Sequence, residues 1–218
     1  MRREIVTAAI AVVVLTLLLG VAYPLAITGV SQLALPGNAN GQQLKLGSRL
    51  VGSKIIGQQF AAPVVKNGKP VLDKTGNPVT NPDPRYFQSR PSATTPPDNA
   101  AGSTFSNLGP NSIATKQAIA TSIQAYIALE QPYVPGLTAA KVPVDAADSS
   151  ASGIDPDISP ANAKLQAHRV AAVRRLSLSQ VMVLISKYTH GRGLGFSGEP
   201  GVNVLALNLA LDRASGGR

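Results

Sequence analysis

The chain has 218 residues, and its 20 Lys and Arg outnumber 11 Asp and Glu to leave a formal charge of +9. It contains no cysteine and no tryptophan, so disulfides and thiol redox chemistry are excluded, and a broad aromatic platform for nucleic-acid bases is excluded with them. The positive charges are scattered along the sequence, and no nucleic-acid partner is expected from them.

From Ile5 to Leu44 no residue carries a formal charge, and Ile5 to Ala22 is almost wholly Ala, Val, Leu and Ile. About 20 apolar residues rising 1.5 Å each cross a hydrocarbon core of roughly 30 Å, so residues 1–35 are read as a single transmembrane anchor. Pro24 removes a backbone donor and should kink the outer end, and Tyr23 sits where an interfacial aromatic would. A cleaved signal peptide competes with this reading, with Arg2-Arg3 as its positive start and Gly20-Val21-Ala22 as its cleavage site. The length of the run favours the uncleaved anchor. No polar face exists, so a helix lying on the membrane surface is excluded. Arg2 and Arg3 place the N-terminus in the cytoplasm by the positive-inside bias, although Lys45, Arg49 and Lys54 pull weakly the other way. The body of the chain, residues 36–218, is therefore expected outside the cytoplasm as one small α+β domain.

Pro36 to Gly41 reads as a turn-rich exit from the membrane. Arg49-Leu50-Val51 and Lys54-Ile55-Ile56, separated by Gly52-Ser53, predict a hairpin. Gly47 to Lys54 has the look of a phosphate-binding loop, but Lys and Ser are interchanged and no helix opens behind it, so that reading is rejected. Residues 61–110 are rich in Pro, Gly, Asn and Ser. Lys66-Asn67-Gly68-Lys69 and Lys74-Thr75-Gly76-Asn77 flank Pro70-Val71-Leu72 and predict an exposed ribbon; the remainder is read as coil. From Ser112 to Glu130 the period is helical, with Ile119, Ile123, Tyr126 and Ile127 on one face and Pro132 as the stop. Ser159-Pro160 pairs an N-cap with a first-turn proline, opening a helix to about Leu176 with Gln166, Val170 and Val173 along it. A shorter helix over Ser179–Tyr188 turns Val181, Leu184, Ile185 and Tyr188 inward. Gly191, Gly193 and Gly195 mark a turn. Leu205, Leu207, Leu209 and Leu211 alternate with Ala206, Asn208 and Ala210, which predicts a terminal strand pairing with the early hairpin.

Little in the chain points to catalysis. His168 and His190 are too few for a metal site, no Gly-x-Ser-x-Gly elbow occurs, and Ser103 and Ser106 read as turn residues. Asp145, Asp148, Asp155 and Asp157 concentrate carboxylates, yet Asp155 to Pro160 reads as a proline-set turn delivering acid to a helix N-terminus. His168-Arg169 to Arg174-Arg175 reads as a solvated helix face, or a patch for acidic lipid or a partner. No catalytic and no metal-ligating residue is assigned.

An ordered set of motifs carries a resemblance. It runs from Tyr23-Pro24 and Ala39-Asn40-Gly41 through Gly52-Ser53-Lys54-Ile55-Ile56-Gly57-Gln58 to Tyr86-Phe87-Gln88-Ser89-Arg90-Pro91-Ser92-Ala93. Ser106-Asn107-Leu108-Gly109-Pro110, Ser152 to Pro160, Gln166 to Ala171 and Gly198 to Asp212 complete it. The set resembles the C subunit of the bacterial Kdp potassium-transporting P-type ATPase over nearly the whole chain. The resemblance implies an accessory, non-catalytic subunit in the bacterial inner (plasma) membrane. It would be partnered by a channel-like potassium-binding subunit, a P-type pump subunit and membrane lipid. It also implies a catalytic chaperone that raises the pump subunit's affinity for ATP, with Gln166 as the residue matching the family's nucleotide-linked glutamine. The residues matching family motifs are Gln58, Arg90, Pro91, Ser92, Asn107, Gly109, Pro110, Ser152, Gly153, Asp155, Ser159, Pro160, Arg169, Glu199, Pro200 and Asn203. Residues 61–84 look like an insertion relative to that family. Against this stands a free-standing anchored module that binds a small ligand outside the cytoplasm through the Tyr86–Pro110 loop.

Overall fold

The computed structural model describes residues 1–74, 76 and 78–214, so Thr75 and Asn77 of the second expected ribbon turn lie outside the described residues. The chain divides into two compact units, residues 1–51 and the remainder from Gly52.

The first unit is dominated by one continuous helical run, Arg2–Ala34, with none of its residues buried. It comprises α1 (Arg2–Leu17), a π-helical turn (Leu18–Ala22) and α2 (Tyr23–Ala34). The π turn has a local cause. Pro24 has no N–H to give the Gly20 carbonyl, and its ring crowds that carbonyl. Widening the preceding turn relieves the clash, and the Tyr23 N–H reaches back five residues to the Leu18 carbonyl. The short α3 (Pro36–Ala39) follows, folded back by paired amides: Gln32 Nε2 donates to Asn40 Oδ1 at 3.3 Å and Asn40 Nδ2 to Gln32 Oε1 at 3.0 Å.

The early hairpin differs from expectation. Strand β1 (Gln43–Leu46) pairs with β2 (Arg49–Ser53) around Gly47-Ser48, so Gly52-Ser53 ends a strand instead of forming the turn. Lys54 to Ile56 is drawn into a turn by contacts remote in sequence, among them Gly57 N–H to the Ile154 carbonyl at 2.7 Å. Gly57 has to be glycine: a Cβ there would lie 2.5 Å from the Asp155 carbonyl oxygen.

Within the second unit, β3 (Ala61–Pro63) pairs with β6 (Thr80–Pro82), and β4 (Val65–Lys66) pairs with β5 (Lys69–Pro70). The expected ribbon is present, and Asn67 and Gly68 turn it with φ of 54° and 76°. No regular element then occurs among the described residues until α4 (Ile113–Glu130), whose N-terminus is capped by the Ser112 hydroxyl accepting from the Ala114 N–H. After a 3-10 turn (Ala139–Lys141) come α5 (Val144–Ala147), β7 (Asp157–Ile158), α6 (Pro160–Arg174) and α7 (Leu178–Lys187). Then follow β8 (Thr189–His190), β9 (Gly201–Asn203) and α8 (Val204–Ala214). Ser159 caps α6 as expected, accepting from the Asn162 N–H at 3.1 Å. The helix closes on Arg175, whose φ of 56° is left-handed.

Residues 204–211, expected to be a strand, form most of α8. Ala and Leu are strong helix formers, and this helix is buried on nearly every side, so its apolar residues show no 3.6-residue stripe. Asn203 starts it, its Oδ1 accepting from the Ala206 N–H at 3.1 Å. The strand before it, β9, takes the centre of a three-stranded antiparallel sheet ordered β7-β9-β8, and the expected pairing with the early hairpin does not form. One core joins Ala163, Ala167 and Val170 of α6, Val181 and Ile185 of α7, and Val204, Leu207 and Leu211 of α8. Ile158, Val202 and Phe87 complete it. The fold is α+β.

Candidate functional site

The segment Tyr86–Ala93 has neither helix nor strand, yet Phe87 within it is fully buried. An extended backbone inside a core needs partners for both N–H and C=O, and two side-chain amides supply them. Asn208 on α8 accepts from the Phe87 N–H and donates to the Phe87 carbonyl, both at 2.9 Å. Gln166 on α6 does the same for the next residue, accepting from the Gln88 N–H at 2.8 Å and donating to the Gln88 carbonyl at 3.1 Å. An amide side chain carries donor and acceptor side by side, so each imitates one rung of a β-ladder.

Arg169, one helical turn beyond Gln166, is fully buried. Its Nε donates to Glu130 Oε1 at 2.9 Å, its Nη1 to the Pro84 and Tyr86 carbonyls at 2.6 and 2.9 Å, and its Nη2 to Gln166 Oε1 at 2.9 Å. Burial pushes the Glu130 carboxyl up from its ordinary value, and the Arg169 guanidinium partly counters that. Asn162 Oδ1 receives the Tyr126 hydroxyl at 2.8 Å and Gln166 Nε2 at 2.9 Å, while its Nδ2 donates to Asp145 Oδ2 at 3.0 Å. Asp145 also accepts from the Ser159 N–H and hydroxyl, so this carboxylate ties the start of α6 to α5. Burial raises the Tyr126 hydroxyl as well, leaving it a donor.

A second layer lies beside this one. Arg90 Nη1 pairs with Asp155 Oδ2 at 3.0 Å, and the Ser152 hydroxyl donates to Asp155 Oδ1 at 3.1 Å. The Ser92 hydroxyl donates to the Gly153 carbonyl at 2.6 Å and accepts from the Asp98 N–H, and the Pro91 carbonyl accepts from the Ser150 N–H. A cavity of about 330 Å³ opens between the layers, bordered by Gln88, Arg90, Asp98, Tyr126, Glu130 and Gln166. Burial, and then the nearby Asp155, push the Asp98 carboxyl up to about 6.

The structure thus gathers Arg90, Pro91, Ser92, Ser152, Gly153, Asp155, Gln166 and Arg169 around one segment, with the Gln58 carbonyl accepting from the Ser89 hydroxyl at its edge and Ser159-Pro160 starting α6. Asn107, Gly109 and Pro110 lie apart on the approach to α4, where the Gly109 carbonyl takes the Thr115 hydroxyl. Glu199 pairs with Arg192, Pro200 precedes β9, and Asn203 caps α8 while its Nδ2 bonds Asp157 and the Lys54 carbonyl. The expected solvated face of α6 is corrected: His168 and Arg175 are exposed, but Arg169 lies in the core. Arg174 Nη2 binds Asp212 at 2.8 Å and its guanidinium stacks 4.6 Å above the Tyr86 ring. Glu130, Asn162 and Asn208 were missed. Glu130 stands four residues beyond Tyr126, on the stripe of α4 that carries Ile119 and Ile123, and a carboxylate on an apolar face is the signal that could have exposed it.

Gln166 as placed has no spare hydrogen-bonding capacity for a phosphate: both amide donors and both oxygen lone pairs are taken. The Asp98 carboxylate on the adjoining cavity, with no cation within ion-pair distance among the described residues, repels a polyphosphate further. These residues do not fit a nucleotide.

One helix of membrane-crossing length and apolarity, joined to an α+β domain built around a buried polar framework, fits a membrane-tethered protein. The chain belongs to the KdpC family: residues 5–213 match the family described as K+-transporting ATPase, c chain. It is 44% identical over 213 residues to the potassium-transporting ATPase KdpC subunit of Mycobacterium tuberculosis H37Rv, spanning 98% of this chain and 100% of that one. The KdpC subunit of Methylibium petroleiphilum is 46% identical over 199 residues, 91% of each chain. That of Koribacter versatilis is 39% identical over 212 residues, covering 97% and 95%.

Proposed function

We propose that the chain is the small, non-catalytic subunit of an ATP-driven potassium uptake complex. In this reading it is held in the plasma membrane by its N-terminal helix and partnered by a channel-like potassium-binding subunit and a P-type pump subunit. The family match along residues 5–213 carries this reading. Arg2 and Arg3 flank one end of the apolar run and support a cytoplasmic N-terminus, with the α+β domain on the outer side. There the domain stabilises the assembly and caps the outer mouth of the channel-like subunit.

An outward domain cannot touch a cytoplasmic nucleotide. Any gain in the pump subunit's affinity for ATP is therefore transmitted through assembly, with Gln166 acting on the domain's own framework. The test is reconstitution of the three subunits with and without this chain, followed by potassium-stimulated ATPase activity and the KM for ATP. Loss of potassium-stimulated turnover without the chain is expected. Removal of residues 1–30 should abolish co-purification with the other two subunits, and unchanged assembly would overturn the reading. Protease added to intact spheroplasts should digest the domain; full protection would reverse the topology. The free-standing binding module is set aside because the relatives match this chain end to end.

A further inference from the structure

The dipeptide Asn-Gly occurs at Asn40-Gly41 and at Asn67-Gly68, and the fold treats the two oppositely. Asn40 is tied down. Its Nδ2 donates to the Pro36 carbonyl at 2.7 Å and to Gln32 Oε1 at 3.0 Å, and its Oδ1 accepts from Gln32 Nε2 at 3.3 Å. The Gly41 N–H donates to the Asn38 carbonyl at 3.1 Å. Asn67 and Gly68 are instead exposed at the tip of the β4–β5 ribbon, and among the described residues nothing bonds the Asn67 side-chain amide or the Gly68 N–H. The space beside Gly68 is open, since a Cβ there would meet no atom within 4 Å. Lys66 and Lys69 stand opposite each other across the ladder, so cations flank the pair on both sides.

We propose that Asn67-Gly68 is a self-modification site, at which solvent converts the asparagine to aspartate and isoaspartate. The Gly68 nitrogen, giving its proton to hydroxide, attacks Asn67 Cγ. The N–Cγ bond forms, the Cγ–Nδ2 bond breaks, and Nδ2 takes a proton from water and leaves as ammonia. Water then opens the cyclic imide, at Cγ to give aspartate or at the backbone carbonyl carbon to give isoaspartate. Nucleophile and electrophile are held on adjacent residues, and glycine offers no side chain to obstruct the approach. The flanking ammonium groups favour the amide anion and the oxyanion that follows it. Like charges opposed across a ladder are unfavourable, and the new carboxylate between Lys66 and Lys69 offsets them. Asn40 must first break its hydrogen bonds, so the same dipeptide is protected there. The reaction needs only water and does not depend on the topology or on the partner subunits.

The experiment is incubation of the full-length chain in dodecyl maltoside micelles at mildly alkaline pH, with peptide mapping by mass spectrometry at intervals. Isoaspartate is read separately by enzymatic methyl transfer to the same peptides. Acidic products should build up at Asn67 about tenfold or more faster than at Asn40. A parallel incubation in guanidinium chloride removes the fold, and there the two rates should converge because the dipeptide is the same. The Asn67→Gln variant, whose longer side chain disfavours ring closure, should leave the ribbon peptide unchanged in mass. Absence of acidic product at Asn67 in the folded chain overturns the proposal. So do equal rates at the two sites in the folded chain, or a tenfold separation that persists in guanidinium chloride.

Discussion

Replacing Gln166 with alanine is the sharpest test of the buried framework. The substitution removes both partners of the Gln88 backbone, since among the described residues no other group bonds its N–H or carbonyl. Asn162 Oδ1 keeps the Tyr126 hydroxyl, and Arg169 keeps Glu130 and the Pro84 and Tyr86 carbonyls, so those two side chains remain partly satisfied. Two orphaned backbone groups at about 1–3 kcal/mol each set the scale. Gln166 borders the 330 Å³ cavity, so water can enter and recover part of the loss. The expected cost is about 2–4 kcal/mol, a large share of the 5–15 kcal/mol typical of a domain. With a urea slope of about 2 kcal/mol/M, the unfolding midpoint should fall by roughly 1–2 M. Pulse proteolysis of the full-length chain in detergent measures that midpoint. Asn208→Ala serves as comparison, because it strips the same two groups from Phe87 without any suggested nucleotide role. It should fall by a similar amount, and in the reconstituted complex both variants should raise the KM for ATP together. A midpoint within about 0.3 M of wild type for Gln166→Ala would refute the reasoning. A KM effect confined to Gln166→Ala would do the same.

Gly57→Ala should destabilise by about 1–3 kcal/mol, since its Cβ would meet the Asp155 carbonyl at 2.5 Å; a thermal midpoint equal to wild type would contradict that contact. Asn203→Ala removes the α8 cap and the bonds to Asp157 and Lys54, and should cost about 1–2 kcal/mol in the same melt. Asp157 holds the His190 pKa above its ordinary 6.5 through a hydrogen bond at 3.0 Å. A raised folded pKa means this stabilisation is fully present below pH 6.5 and is lost as pH rises through the folded value. His190→Gln should flatten that part of the stability–pH profile, and an unchanged slope above pH 6.5 would show that the pair contributes nothing. For Asp83 the sign is opposite. Arg85 lowers its pKa below 3.8, so its contribution is present above that pH and lost as acid titrates the folded carboxylate, and Asp83→Asn should remove an acid-side drop in stability.

Local chemistry written into consecutive residues was enough to read the anchor, the caps and three of the helices. Forty uncharged residues from Ile5 to Leu44 leave a membrane-crossing helix as the natural outcome, and Ser112, Ser159-Pro160 and Asn67-Gly68 mark boundaries through bonds that span two or three residues. The motif order was likewise sufficient for the family. Residues 204–211 were not legible, because a helix buried all round shows no polar stripe, and Leu alternating with Ala imitates a strand. The site was only partly visible. Arg90, Asp155, Gln166 and Arg169 stood out as motif residues, but their roles depend on partners 39 to 85 positions away. Whether Gln166 is a free amide or a substitute β-rung is decided by where the Tyr86–Ala93 backbone runs, and that path is set by burial of Phe87 against helices distant in sequence. Short-range hydrogen bonding belongs to the sequence alone. The pairing of a buried backbone with side chains from other elements exists only once tertiary packing has excluded water from both.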